Sequence, residues 1–150
     1  MTKDTHYKKR LINHCIAGQE YSFNEVKKAM DEAQREANAY GPPKDRYDGF
    51  RNQQLKKKDM LAKQSEQALQ NLKALHMIET EGHENVDFGS LVVTDNMTFF
   101  VSIGLGLIPF EQEQLAVIST QVPIYQAMRN KKAGDRFSFN GKPYSIISII

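Results

Sequence analysis

Thr80-Glu81-Gly82-His83-Glu84-Asn85-Val86-Asp87-Phe88-Gly89-Ser90 is where the chain changes its hydrophobic period. Before this stretch Lys, Glu, Gln and Ala dominate, and apolar residues recur at steps of three and four, the spacing of one helix face. After it, short runs of β-branched and aromatic residues alternate with turn residues, as strands do. The change of period predicts an α+β chain of two parts. Residues 1–80 should form an antiparallel helical hairpin of coiled-coil type, and residues 81–150 a small twisted antiparallel sheet with one short helix.

Within the first part the only prolines are the adjacent Pro42 and Pro43, which must interrupt a helix. Ser22-Phe23-Asn24-Glu25 reads as a capping box, so a helix is expected to start there. Its apolar residues, Val26, Met30, Ala33, Ala37 and Tyr40, form one narrow stripe suited to a single partner helix. Gly41-Pro42-Pro43 ends it, and a second helix is expected from Asp45 to Ile78, roughly 50 Å long at the usual rise per residue. Its stripe, Leu61, Ala68, Leu72 and Leu75, lies far from the turn, while Gln53, Gln54, Lys56, Lys57, Lys58 and Asp59 leave little to bury near it. Residues 41–51 are therefore expected to form a tip that faces solvent. Residues 5–16, with Leu11, Ile12, Cys15 and Ile16, read as a separate helical stretch that stops before Gly18.

In the second part GSLVVT, MTFFVSIG, QLAVIS, DRFSF and PYSIIS read as strands. Asp95-Asn96 joins the first pair, and Asn140-Gly141 is a strong two-residue hairpin signal, because both residues tolerate positive φ. Pro143, which lacks an N–H, favours an edge position. Gly104-Leu105-Gly106 reads as a turn between strands, lacking the third glycine and following helix of a dinucleotide site. VPIYQAMRNKKAGD reads as a helix with Pro123 in its first turn and Gly134 as its stop.

Charge is uneven along the chain. Residues 1–80 carry 15 Lys/Arg against 11 Asp/Glu, and residues 81–150 carry 5 against 7, for a formal net charge of +2. That total is too small to announce a nucleic-acid binder, but the basic half is the better candidate for an acidic partner; the same charges also serve as the solvated face of long helices. With 25% charged residues and no apolar run approaching the roughly 20 residues of a membrane span, a membrane-spanning helix is excluded. The polar start MTKDTHYKKRLINHC lacks the apolar core of a secretory signal, so a cytoplasmic location is expected. A single cysteine, Cys15, agrees with a reducing compartment.

One segment carries a resemblance. ISTQVPIYQAMRNKKAGDRFSFNGKPYSI, residues 118–146, is similar to the C-terminal domain of the Gre transcript-cleavage factors. There a strand ending in Ser leads to Ser-Pro-Ile, a short helix with Ala-Leu, Gly-Lys-Lys, Gly-Asp and a final hairpin. Ile118, Ser119, Pro123, Ile124, Ala127, Lys131, Lys132, Gly134 and Asp135 fall at matching places, and Phe88-Gly89-Ser90 resembles the opening of that domain. About 60 residues are covered; the N-terminal part matches chiefly in architecture.

The resemblance implies an FKBP-like C-terminal domain and a bacterial elongation factor. Such a factor binds RNA polymerase, inserts its coiled coil through the secondary channel and stimulates cleavage of backtracked RNA. It is not itself an enzyme and has no cofactor of its own; tip carboxylates help hold the second Mg²⁺ of the polymerase active centre. Short carboxylates suit that task because two-metal hydrolysis needs hard oxygen ligands. Asp45 and Asp48 are the candidates, three positions apart at the start of a helix, where acidic residues also simply complement the helix dipole. With Gly41 aligned, Pro42 stands where the family has its first tip Asp, and Lys44 and Arg46 flank Asp45. A channel factor that modulates transcription without cleavage is therefore the alternative. Lys44, Arg46 and Arg51 are candidate contacts to phosphate or polymerase carboxylates, with any RNA or DNA contact made only inside the elongation complex. Pro123, Ile124, Lys131 and Lys132 mark the candidate polymerase-docking patch. The protein is expected to act as a monomer.

Other chemistry has less behind it. His14 and Cys15 are adjacent on a helix and point apart, and His76 and His83 lack the spacing of a zinc site, so no stably bound metal is expected. Two further classes stay open: an FKBP-like isomerase or chaperone, disfavoured by the absence of Trp, and a coiled-coil structural oligomer.

Overall fold

The computed structural model describes residues 3–39 and 48–150, with the backbone alone at Asp48. Two compact units divide the chain, residues 16–73 in one and residues 1–15 with 74–150 in the other. The elements are α1 (Thr5–Asn38), α2 (Asp48–His76), β1 (Leu91–Thr94), β2 (Thr98–Val101), β3 (Gly106–Phe110), β4 (Glu113–Ile118), α3 (Pro123–Met128), β5 (Arg136–Phe139) and β6 (Lys142–Ile149). The architecture is the α+β one expected: a helical hairpin, then a mostly antiparallel sheet with a short helix.

α1 begins earlier than the capping box and does not stop at Gly18. Asp4 caps it, its carboxylate accepting the Tyr7 N–H at 2.9 Å. That bond holds the Asp4 carboxyl below its ordinary value. The helix then runs 34 residues, through Gly18 and Ser22. Its buried positions, Lys8, Ile12, Cys15, Gln19, Ala33 and Ala37, keep helical spacing on both sides of Gly18, and the packing of that face offsets the ~1 kcal/mol that an interior glycine costs. No partner atom lies within 4 Å of where a Gly18 side chain would begin, so nothing forces a break there.

In the unit of residues 16–73, α1 and α2 run antiparallel. Asn71 donates through Nδ2 to Gln19 Oε1 at 3.0 Å, and Lys58 Nζ donates to Gln34 Oε1 at 2.7 Å. Partner numbers thus rise on one helix as they fall on the other. On α2 the inward residues Gln54, Lys58, Leu61, Ser65, Ala68 and Leu72 alternate steps of four and three, the coiled-coil repeat. The apolar members occupy the half nearer residue 76, as the sequence suggested.

The sheet of the other unit has the order β3-β4-β2-β1-β6-β5. β2 and β4 are parallel, with Phe99 opposite Ala116, and the other pairs are antiparallel. Alternation along the strands sends Val92, Phe99, Val101, Ala116, Phe137, Tyr144 and Ile146 to one face, where Tyr125 and Met128 of α3 close the core. Phe137 and Tyr144 stack with centroids 4.9 Å apart, and Phe99 meets both edge-on. Leu91, Phe100, Leu115 and Val117 alternate to the opposite side and are fully buried. The first turns of α1 belong to this unit: Tyr7 meets Phe110 edge-on at 5.4 Å, and Arg10 grips Glu111 with two bonds of 2.6 and 3.1 Å.

Three local expectations need correction. Gly106 opens β3 instead of completing a turn, and Leu105 N–H already donates to the Val117 carbonyl at 3.0 Å. The hairpin that follows turns through Glu111 and Gln112 at φ 48° and 67°, residues that carry no turn signature. Pro143 is not on an edge strand, since β6 lies between β1 and β5; it pairs with Ser138 of β5, while β1 pairs no nearer to it than Ile146. The local lack of a second neighbour is what accommodates the proline. α3 ends at Met128, well before Gly134, because Asn130 N–H donates to the Val86 carbonyl and Val86 N–H to the Lys131 carbonyl. This pairing pulls residues 130–132 out of the helix, with Asn130 at φ 63°.

Candidate functional site

Two regions carry the residues singled out from the sequence. Lys44, Asp45 and Arg46 lie outside the described residues, as does the side chain of Asp48, whose backbone opens α2. Arg51, half-buried one turn into α2, is the described member of that set. The basic run that follows is not uniform. Lys56 and Lys57 are exposed, but Lys58 turns into the helix pair and spends its ammonium on Gln34, which in turn donates through Nε2 to Asn38 Oδ1 at 2.9 Å. A cation in a run that reads as a solvated helix face is thus committed inside the hairpin.

The second region surrounds α3. Pro123 at its start is exposed, with Ile124 half-buried against the core. Beyond its end, Lys131 N–H donates to the Met128 carbonyl at 3.2 Å, and Lys132 N–H donates to the Asp135 carboxylate at 2.8 Å. Gly134 at φ 93° allows the turn that brings Asp135 back. The backbone of residues 130–135 is therefore fixed, while the Lys132 side chain stays exposed. Two cations presented from a rigid turn, next to exposed Pro123, can engage a carboxylate-bearing protein surface.

The sequence reading missed Lys8. It sits in a Lys8-Lys9-Arg10 run that looks like a solvated face, yet it is 0% exposed. Its Nζ donates to the Glu79 carbonyl at 3.0 Å and to the Ile150 carbonyl at 2.9 Å. Burial pushes its ammonium down to about 8, with the Asp87 charge pulling the other way. The signal was present in the spacing: Lys8 lies four positions before Ile12 and seven before Cys15, on the buried face. Beside it, His83 places Nδ1 2.7 Å from Asp87 Oδ1 and Nε2 2.8 Å from the Glu79 carbonyl. Cys15 is buried, and burial pushes its thiol up to about 11, away from thiolate chemistry.

Among the described residues no group of three or more His, Cys, Asp or Glu side chains is placed to hold a metal ion, and no helix is long and apolar enough to cross a membrane. No protein-family model matches the chain, and no curated protein matches its sequence. Among solved structures, the crystal structure of the GreA factor homolog 1 protein of Thermus thermophilus is similar over 93% of this chain and 94% of that one, at 13% identity and a TM-score of 0.36.

Proposed function

We infer that the chain is a Gre-type transcription factor of the bacterial cytoplasm. As a monomer it binds RNA polymerase and carries residues 41–51 into the channel that leads to the active centre. The order of parts supports this reading: two helices of 34 and 29 residues, then a sheet unit in which residues 118–146 run as strand, short helix and hairpin. Those are the residues at which the sequence resembles the Gre factors. On this reading the chain catalyses nothing alone. Asp45 and Asp48 supply hard oxygen ligands to a metal ion that the polymerase holds, and Arg51 with Lys44 and Arg46 meets phosphate or carboxylate near it. Pro123, Ile124, Lys131 and Lys132 form the surface that docks on the polymerase.

A channel factor without cleavage activity is the second reading, favoured by charge. Residues 44–63 carry seven Lys/Arg against three Asp/Glu, and Pro42 stands where the family has a carboxylate. An excess of cations weakens the field that would recruit Mg²⁺. Stalled, backtracked elongation complexes with Mg²⁺ separate the two. RNA shortening that disappears in Asp45→Ala with Asp48→Ala supports assisted cleavage. Binding without shortening supports the second reading, and absence of binding removes both.

A further inference from the structure

In the unit of residues 1–15 and 74–150, side chains from two chain segments converge on one backbone oxygen. The Glu79 carbonyl accepts from Lys8 Nζ at 3.0 Å and lies 2.8 Å from His83 Nε2. The other ring nitrogen, Nδ1, lies 2.7 Å from Asp87 Oδ1. The His83 side chain is 8% exposed. Gly89, at φ 92°, backs the ring so closely that a β-carbon there would lie 3.3 Å from His83 Cε1 and 3.3 Å from Ile78 Cγ2.

Both atoms facing the ring nitrogens are acceptors. An imidazole with two protons donates to both; one with a single proton turns a lone pair towards an oxygen on one side. The Asp87 carboxylate is the stronger acceptor, so the single proton stays on Nδ1 and the contact that fails is the one to Glu79. We propose that His83 is a proton-operated clasp: with both nitrogens protonated it closes residues 79–87 into a loop, and on losing a proton it releases the Glu79 carbonyl to Lys8 alone.

The charged groups around the ring act in opposite senses. Asp87, on the same segment, favours the doubly protonated ring. Lys8, reaching in from α1 to the same carbonyl, opposes it, and the exposed Glu81 and Glu84 flank His83 in sequence. What the clasp holds matters for the docking surface. Val86 within the loop pairs with Asn130 and Lys131, so release of Glu79 loosens the segment that carries Lys131 and Lys132.

Amide hydrogen exchange on the full chain, corrected for intrinsic rates, tests this at pH 5 and pH 8. Protection of residues 79–90 is expected to fall about threefold to tenfold at the higher pH, the yield of one hydrogen bond, while Leu115–Val117 of β4 hold constant. The ring nitrogens should both report protons by NMR at pH 5. Asp87→Asn should move the midpoint to lower pH and Lys8→Met to higher pH, and His83→Gln should abolish the dependence. Equal protection at both pH values, a midpoint indifferent to Asp87→Asn and Lys8→Met, or a dependence that persists in His83→Gln would each overturn the clasp. Should His83→Gln not fold, the two opposite midpoint shifts decide.

Discussion

Gln19 on α1 and Asn71 on α2 are joined across the helix pair by a 3.0 Å hydrogen bond, with Gln19 only 8% exposed. Asn71 also accepts from Gln67 Nε2 at 2.9 Å, so the amides form a chain of three. A polar pair among apolar neighbours fixes which residues face each other, because any slip orphans both amides. Gln19→Leu alone should lower stability by about 1–2 kcal/mol, since the Asn71 amide then loses its acceptor. Gln19→Leu with Asn71→Leu should recover most of that loss but loosen register, read as broader amide dispersion or a rise in dimer by sedimentation. Denaturant unfolding followed by helical circular dichroism measures the first effect.

Lys8 makes a less intuitive case. Both carbonyls it serves keep another donor without it: Glu79 retains His83, and Ile150 retains the Leu91 N–H at 2.8 Å. Lys8→Met should therefore be neutral or stabilising where His83 carries both protons, because there it removes a buried charge and orphans nothing. The pH dependence has a definite sign. In the folded chain Lys8 titrates near 8, below its ordinary 10.5, so the unfolded chain binds more protons between those values. Wild-type stability should rise across that window by up to roughly 3 kcal/mol from this group, and the rise should vanish in Lys8→Met. Chemical unfolding at pH 7, 9 and 10 reads it directly.

The turn between β3 and β4 holds Glu111 and Gln112 in left-handed backbone, which neither favours. Gln112→Gly should stabilise by about 0.5–1 kcal/mol, relieving that conformation. Arg10→Ala should cost little, since its pair with Glu111 is solvent-accessible, and the loss should shrink at high salt. Thermal unfolding at two ionic strengths separates the contributions.

Stability and docking should separate at α3. Met128 is fully buried in the core, and Met128→Ala should cost about 2–5 kcal/mol through the cavity it leaves. Lys132→Glu, at an exposed side chain whose backbone contacts persist, should change stability by less than about 0.5 kcal/mol. On the proposed reading it should nevertheless weaken polymerase binding severalfold, measured by titration against fluorescently labelled polymerase.

Much of the sheet was legible because its strands obey simple rules. LVVT, TFFV and LAVI are near-continuous apolar runs rich in β-branched and aromatic residues, as suits strands buried on both faces. Asn140-Gly141 sits at φ 51° and 76°, as its turn type requires. β3 was not legible, because Glu111-Gln112 advertises no turn and Pro109 argues against a strand; its place at the sheet edge is what accommodates the proline. Gly18 and the early end of α3 misled for the opposite reason, since tertiary packing overrode local signals that were real. Lys8 escaped notice, and His83 was weighed only as a metal ligand, because their contacts are to backbone oxygens, which no residue pattern displays. The tip residues Asp45 and Asp48 were chosen on resemblance and helix-start chemistry, and their side chains fall outside the described span.

Placement of the tip is the centre of the account. A photo-crosslinker at Phe50, exposed near the start of α2, should be tested in the full chain bound to RNA polymerase. The account predicts a salt-sensitive one-to-one complex whose cross-links map to polymerase segments around the catalytic Mg²⁺. Cross-links confined to the outer surface of the polymerase, or no complex at low ionic strength, would contradict it.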